Sequence, residues 1–181
     1  MDRLHAGLPI FAKRYAWNLK YGVLGYPQLA PPHDVVCYLS KRLPENAAML
    51  ELGCGRGSLL RGLREQGWHG TYCGVDISKR AIRAACKSSD QRSSWIVSDF
   101  ESFRSPFQWD VVALIESVCY VKAAEVASFL PRIMQMVKKD GVLLIRLHDF
   151  AKHALYIDTI QRLYPHAEKL SPNLLGIAAS R

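Results

Sequence analysis

From residue 47 onward the sequence alternates short apolar runs with stretches of helical periodicity, and few folds accept that alternation. The runs cover residues 48–52, 72–75, 95–97, 111–115 and 142–145. Each is nearly continuous in apolar character, as expected of strands buried on both faces of a parallel sheet. Leu59, Leu60 and Leu63 give the first intervening segment a helical stripe that ends at Gly67, and Ser78 is placed to cap a second helix reaching about Cys86. A third helix is expected from about Ala123 to Val137, with Pro131 kinking it or delaying its start. Lys139, Asp140 and Gly141 then read as a turn into the fifth strand. Residues 151–163 read as a helix ended by Pro165, and Ser171-Pro172-Asn173 joins two strand-like stretches at 167–170 and 174–179. Strands joined by so short a turn pair antiparallel. The expected fold is α/β: a doubly wound, seven-stranded, mostly parallel sheet with an antiparallel edge hairpin and helices on both faces.

At 181 residues the chain has the size of one domain. Residues 46–181 are expected to form its core, and residues 1–45 an N-terminal helical cap or lid of the same domain. In that segment Leu4, Leu8, Phe11 and Tyr15 recur at helical spacing, and Trp17 and Tyr21 stand four apart. The segment is basic, with Arg3, Lys13, Arg14 and Lys20 against Asp2, but its first 33 residues lack serine and a signal-type apolar block. It is therefore read as mature protein. No apolar run approaches the roughly 20 residues that span a bilayer. The five cysteines (Cys37, Cys54, Cys73, Cys86, Cys119) include no C-x-x-C pair, which argues against a disulfide framework and a zinc site. A reducing cytoplasmic setting and no metal are expected. The net charge of +8 favours an anionic partner at long range, although its Lys and Arg residues are scattered.

The segment Glu51-Leu52-Gly53-Cys54-Gly55-Arg56-Gly57 falls where the first strand ends and a helix begins. Gly53 permits a tight turn and Gly55 a close backbone approach by a ligand, while the following helix offers unpaired N–H groups. Dinucleotide-binding loops use G-x-G-x-x-G, but here Ser58 stands where their third glycine would be. Glu51, two residues before the first glycine, suits a cationic ligand better than a pyrophosphate.

The loop matches E-x-G-x-G-x-G in full, and residues 47–181 resemble the class I S-adenosylmethionine-dependent methyltransferases, a Rossmann-like family. The resemblance implies S-adenosylmethionine as cofactor, held by Glu51, Gly53, Cys54, Gly55 and Gly57. It places Asp76, at the end of the second strand, on the two ribose hydroxyls with Ile77 beside it, two carboxylate oxygens suiting two adjacent hydroxyls. It also implies that Asp99 accepts from the adenine amino group and that the Phe100 N–H donates to the ring. Glu116, at the end of the fourth strand, would face the methionine moiety and the acceptor.

Residues 116–120 resemble the corresponding stretch of bacterial nodulation-factor N-methyltransferases, a five-residue likeness that assigns no substrate. They lack the Pro-Pro-aromatic pattern of nucleobase amine methylation, the Pro-Cys of cytosine carbon methylation and the acidic pair of metal-dependent catechol methylation. Glu116, Tyr120 and His148 are the candidate catalytic residues, a histidine there being able to take a proton from the acceptor. Asp149 and His153 lie nearby in sequence. Tyr15, Trp17 and Tyr21 are expected to close over the acceptor, with Tyr120 and His148, and to face cationic groups. The expected reaction is in-line displacement onto a nucleophilic nitrogen or oxygen of a small molecule. An RNA or protein acceptor is the alternative, motivated by the charge; a non-catalytic cofactor-binding subunit and a nicotinamide-dependent oxidoreductase are the remaining readings.

Overall fold

The computed structural model describes residues 8–22, 24 and 29–179. Seven strands form one sheet: β1 (Ala48–Leu52), β2 (Thr71–Asp76), β3 (Ser93–Val97), β4 (Trp109–Ile115), β5 (Val137–Arg146), β6 (Glu168–Ser171) and β7 (Leu174–Ala178). Their order is β3-β2-β1-β4-β5-β7-β6. The first five pair in parallel, and β7 runs antiparallel to both β5 and β6. The chain winds outward from β1 to β3, then crosses back to lay β4 on the other side of β1. Order reverses between β1 and β4, which opens a crevice at their carboxyl ends.

Side-chain alternation sends successive strand residues into two separate cores. Leu50, Leu52, Val112, Leu114, Leu143 and Ile145 point to one face, where Phe129, Leu130 and Ile133 of α5 (Val126–Met134) and Ile157 and Ile160 of α6 (Ala154–Leu163) cover them. Met49, Tyr72, Val111, Ala113 and Leu144 point to the other. There Val35, Val36 and Leu39 of α2 (His33–Ser40) and Leu59, Leu60 and Leu63 of α3 (Ser58–Glu65) complete the layer.

Four expectations are corrected. Residues 139–141 are not a turn before the fifth strand: β5 already pairs at Val137 with Trp109, and the ladder resumes at Val142 with Val111. The excess is absorbed as an irregularity around Asp140, whose φ of 65° is left-handed. The third helix therefore ends at Met134, and its α-helical part begins only at Val126, after a 3-10 turn over Ala123–Glu125. The strand at 93–97 is an edge strand with Ile96 and Val97 partly exposed, not one buried on both faces. Finally, the Leu8, Phe11 and Tyr15 stripe faces outward: Phe11 and Tyr15 of α1 (Ile10–Gly22) are 77% and 72% exposed, and Leu8, also exposed, precedes the helix. Leu4 lies outside the described residues.

What attaches α1 is its other side. Asn18 Oδ1 accepts from Ser78 Oγ at 2.9 Å and from the Arg80 N–H at 3.2 Å, at the start of α4 (Lys79–Ala85), while Lys13 pairs with Glu101. Ser78 caps α4 by accepting from the Ala81 N–H at 3.2 Å, as expected from its sequence position. These three contacts place α1 across the carboxyl ends of β2 and β3.

Candidate active site

The loop from β1 to α3 runs through left-handed backbone at Gly53 (φ 86°) and Gly55 (φ 54°), which glycine adopts without penalty. The Gly53 and Cys54 N–H groups both donate to Val75 O, at 2.7 and 3.0 Å, and the Gly55 N–H donates to Asp76 Oδ2 at 2.9 Å. No side chain caps α3 at Gly57, so the loop delivers a helix start to the crevice without a blocking group. Gly57 itself backs onto the Trp95 ring rather than lining the crevice.

Asp76 is buried, and its second oxygen accepts from the Ser78 N–H at 2.8 Å. Both carboxylate oxygens thus already hold backbone, and each retains a lone pair for a hydroxyl. Burial pushes the Asp76 carboxyl up to about 6, against the lowering effect of the Ser78 and Gly55 N–H groups. Glu51 is buried as well, and accepts a hydrogen bond from Tyr72 Oη. Burial pushes its carboxyl up to about 7; the Tyr72 hydrogen bond opposes this, and the neighbouring Asp76 charge adds to it. Asp99 is buried at the end of β3, its Oδ1 accepting from the Glu101 N–H at 3.2 Å.

These shifts have a sign that can be measured. Both carboxyls titrate higher in the folded than in the unfolded chain, so their contribution to stability is present at acid pH and is lost as pH rises through about 6 and 7. A cationic ligand reverses the preference by favouring the ionised form. Binding of an aminoacyl cofactor near pH 6.5 is therefore expected to release protons, measured by calorimetry in buffers of different ionisation enthalpy. Binding without proton release would contradict the placement of Glu51 beside a cation.

At the end of β4, Glu116 is held at φ 55°, a left-handed conformation that costs a residue with a side chain about 1–2 kcal/mol. Its carboxylate compensates locally: Oε1 accepts from Arg146 Nη1, and Oε2 accepts from the His148 N–H at 2.9 Å and lies 3.1 Å from His148 Nδ1. Arg146 ends β5, and its Nε donates to both oxygens of Asp34 at 2.8 and 3.0 Å. Next to Glu116, Ser117 is buried, with an Oγ that has no partner among the described residues.

The strand ends and α1 border a cavity of about 400 Å³. The expected residues Glu51, Gly53, Cys54, Gly55, Asp76, Ile77, Asp99, Phe100, Glu116, Tyr120, Trp17 and Tyr21 all line it. Tyr15 and His148 do not: Tyr15 is on the outer face of α1, and His148 sits behind Glu116, with 58% of its side chain exposed. Lys13, Arg146 and Ser117 line the cavity and were not anticipated from sequence. The donor set fits S-adenosylmethionine. Two buried carboxyls meet cationic and hydroxyl groups, the Ser117 hydroxyl needs a partner, and a side chain at Gly55 would meet Tyr21 Oη at 2.9 Å, on the lid side of the loop.

Comparison with known proteins agrees with this geometry. Residues 28–171 match the family model described as "Methyltransferase domain", and the chain belongs to that family of class I S-adenosylmethionine-dependent methyltransferases. It is 28% identical over 130 residues to YqeM of Bacillus subtilis (strain 168), whose own description as a methyltransferase is provisional. That match covers 69% of this chain and 52% of YqeM, so the chain spans about half the length of that relative. The fold is shared with magnesium protoporphyrin IX methyltransferase from Synechocystis PCC 6803, crystallised with bound S-adenosylmethionine: TM-score 0.71, 15% identity, 97% of this chain and 99% of that one covered. It is also shared with the N-methyltransferase NodS from Bradyrhizobium japonicum WM9, at TM-score 0.66 and 18% identity over 82% of this chain and 94% of that one.

Proposed function

We propose that this chain transfers a methyl group from S-adenosylmethionine to a nucleophilic nitrogen or oxygen of a small molecule by in-line displacement. The observation that carries the small-molecule reading is the sign of the cavity. In a chain of net charge +8, the lining holds Glu51, Asp76, Asp99, Glu101 and Glu116 against Lys13, Arg56 and Arg146. An acidic cavity disfavours polyanions and suits a compact ligand.

When bound, the cofactor supplies a methyl group already activated by its sulfonium charge. Glu51 would hold its cationic amino group, Asp76 the ribose hydroxyls, and Asp99 with the Phe100 N–H the adenine. Lys13, Trp17 and Tyr21 bring α1 over the cavity as a lid that excludes water. Holding two reactants in line can contribute about 7–11 kcal/mol, so positioning is the main task of the protein. Glu116 is the candidate group to take an acceptor proton, with His148 and Arg146 fixing its carboxylate.

The test is methyl transfer from tritiated S-adenosylmethionine to a fractionated small-molecule extract, alongside total RNA and protein. Label in the small-molecule fraction, insensitive to salt, supports the proposal. Label only in RNA, lost steeply with salt, would overturn it in favour of the macromolecular acceptor that the net charge suggests.

A further inference from the structure

Glu116 and Arg146 line one end of the cavity, and Arg146 also reaches Asp34 outside the lining. Asp34 and Glu116 share the single guanidinium of Arg146, and Ser171 Oγ donates to Asp34 Oδ2 at 3.2 Å. Two carboxylates thus converge on one guanidinium. Ser117 adds an independent sign of a missing ligand: it lines the cavity beside Glu116, and its buried Oγ has no partner among the described residues. Two aromatic residues complete the wall, and Lys20 Nζ lies 4.5 Å from the centre of the Trp17 ring. Trp17 and Tyr120 both line the cavity, their ring centroids 5.0 Å apart at 89°.

Resting on the methyltransferase reading above, we infer that the acceptor is an amine that enters as an ammonium ion, received by Glu116 and Ser117 with Trp17 and Tyr120 around it. The chemistry favours this class over an alcohol. An ammonium brings a positive charge to the Glu116 carboxylate and can donate an N–H to Ser117 Oγ, and aromatic rings attract it. An alcohol brings no charge to pair with the Glu116 carboxylate when it binds. The step balances. The ammonium gives one proton to the Glu116 carboxylate, and the freed lone pair forms the N–C bond as the C–S bond breaks with its electrons on sulfur. The product is a methylated ammonium and a neutral thioether, and Glu116 passes its proton to solvent.

Titration calorimetry on the protein saturated with S-adenosylhomocysteine tests this with hexylamine and 2-phenylethylamine against 1-hexanol and 2-phenylethanol. Each amine is expected to bind at least roughly tenfold more tightly than the alcohol of the same skeleton. In the Glu116→Gln variant, which keeps a side-chain oxygen for the His148 N–H, that ratio should fall to within about twofold. Because the readout is a ratio, a general loss of stability does not imitate it. Equal or tighter binding of the alcohols, a preference that survives Glu116→Gln, or no binding by any of the four would overturn the amine assignment. Failure of S-adenosylhomocysteine itself to bind would instead overturn the methyltransferase reading on which the assignment rests.

Discussion

Replacing Asp76 by alanine is expected to weaken S-adenosylhomocysteine binding by roughly a hundredfold or more, the largest effect of any single substitution in this chain. Two losses combine. The carboxylate would no longer meet the ribose hydroxyls, and charge-assisted hydrogen bonds of this kind contribute about 1.5–3 kcal/mol each. It would also release the Gly55 and Ser78 N–H groups, which it holds at 2.9 and 2.8 Å and which shape the cofactor loop and the start of α4. Stability should change less than affinity, because burial already opposes ionisation of this carboxyl and its removal relieves that cost at neutral pH. Chemical denaturation run beside the titration separates the two. A variant that binds as tightly as the parent would overturn the assignment of Asp76 to the ribose hydroxyls.

Gly53→Ala carries the second large effect, and here fold and site fail together. At φ 86° the new side chain is strained, and its Cβ would lie 2.6 Å from Ser117 Cβ, an atom fixed to the backbone that cannot swing aside. Strain and displacement together should cost about 2–4 kcal/mol. For a domain of this size that is a fall in Tm of about 5–12 °C. Movement of Ser117 also disturbs Glu116 beside it, so methyl transfer should fall further than the melting temperature alone explains. An unchanged Tm would contradict the described loop geometry.

The parts of this site that could be read from sequence share one property: each is written locally. Glu51, Gly53, Gly55, Asp76 and Asp99 occupy the ends of successive β-strands, where apolar run, turn residue and helix pattern lie within a few positions of one another. Arg146 closes an apolar strand, and nothing nearby indicates that its partners are Asp34, 112 residues away, and Glu116, 30 away. Ser117 became visible only through burial. Helical spacing in α1 identified aromatic faces but not which face turns inward, so Tyr15 was grouped with Trp17 and Tyr21 although it faces outward. Lys139-Asp140-Gly141 has the composition of a turn, and pairing of Val137 with Trp109 overrode that local preference by absorbing the residues within β5.

The most direct test of the central claim is calorimetric titration of the purified protein with S-adenosylmethionine and S-adenosylhomocysteine, with NADH as the control ligand. Micromolar binding of both sulfur compounds and none of NADH is the predicted result. Binding of NADH, or of none of the three, would contradict the assignment of this cavity to S-adenosylmethionine.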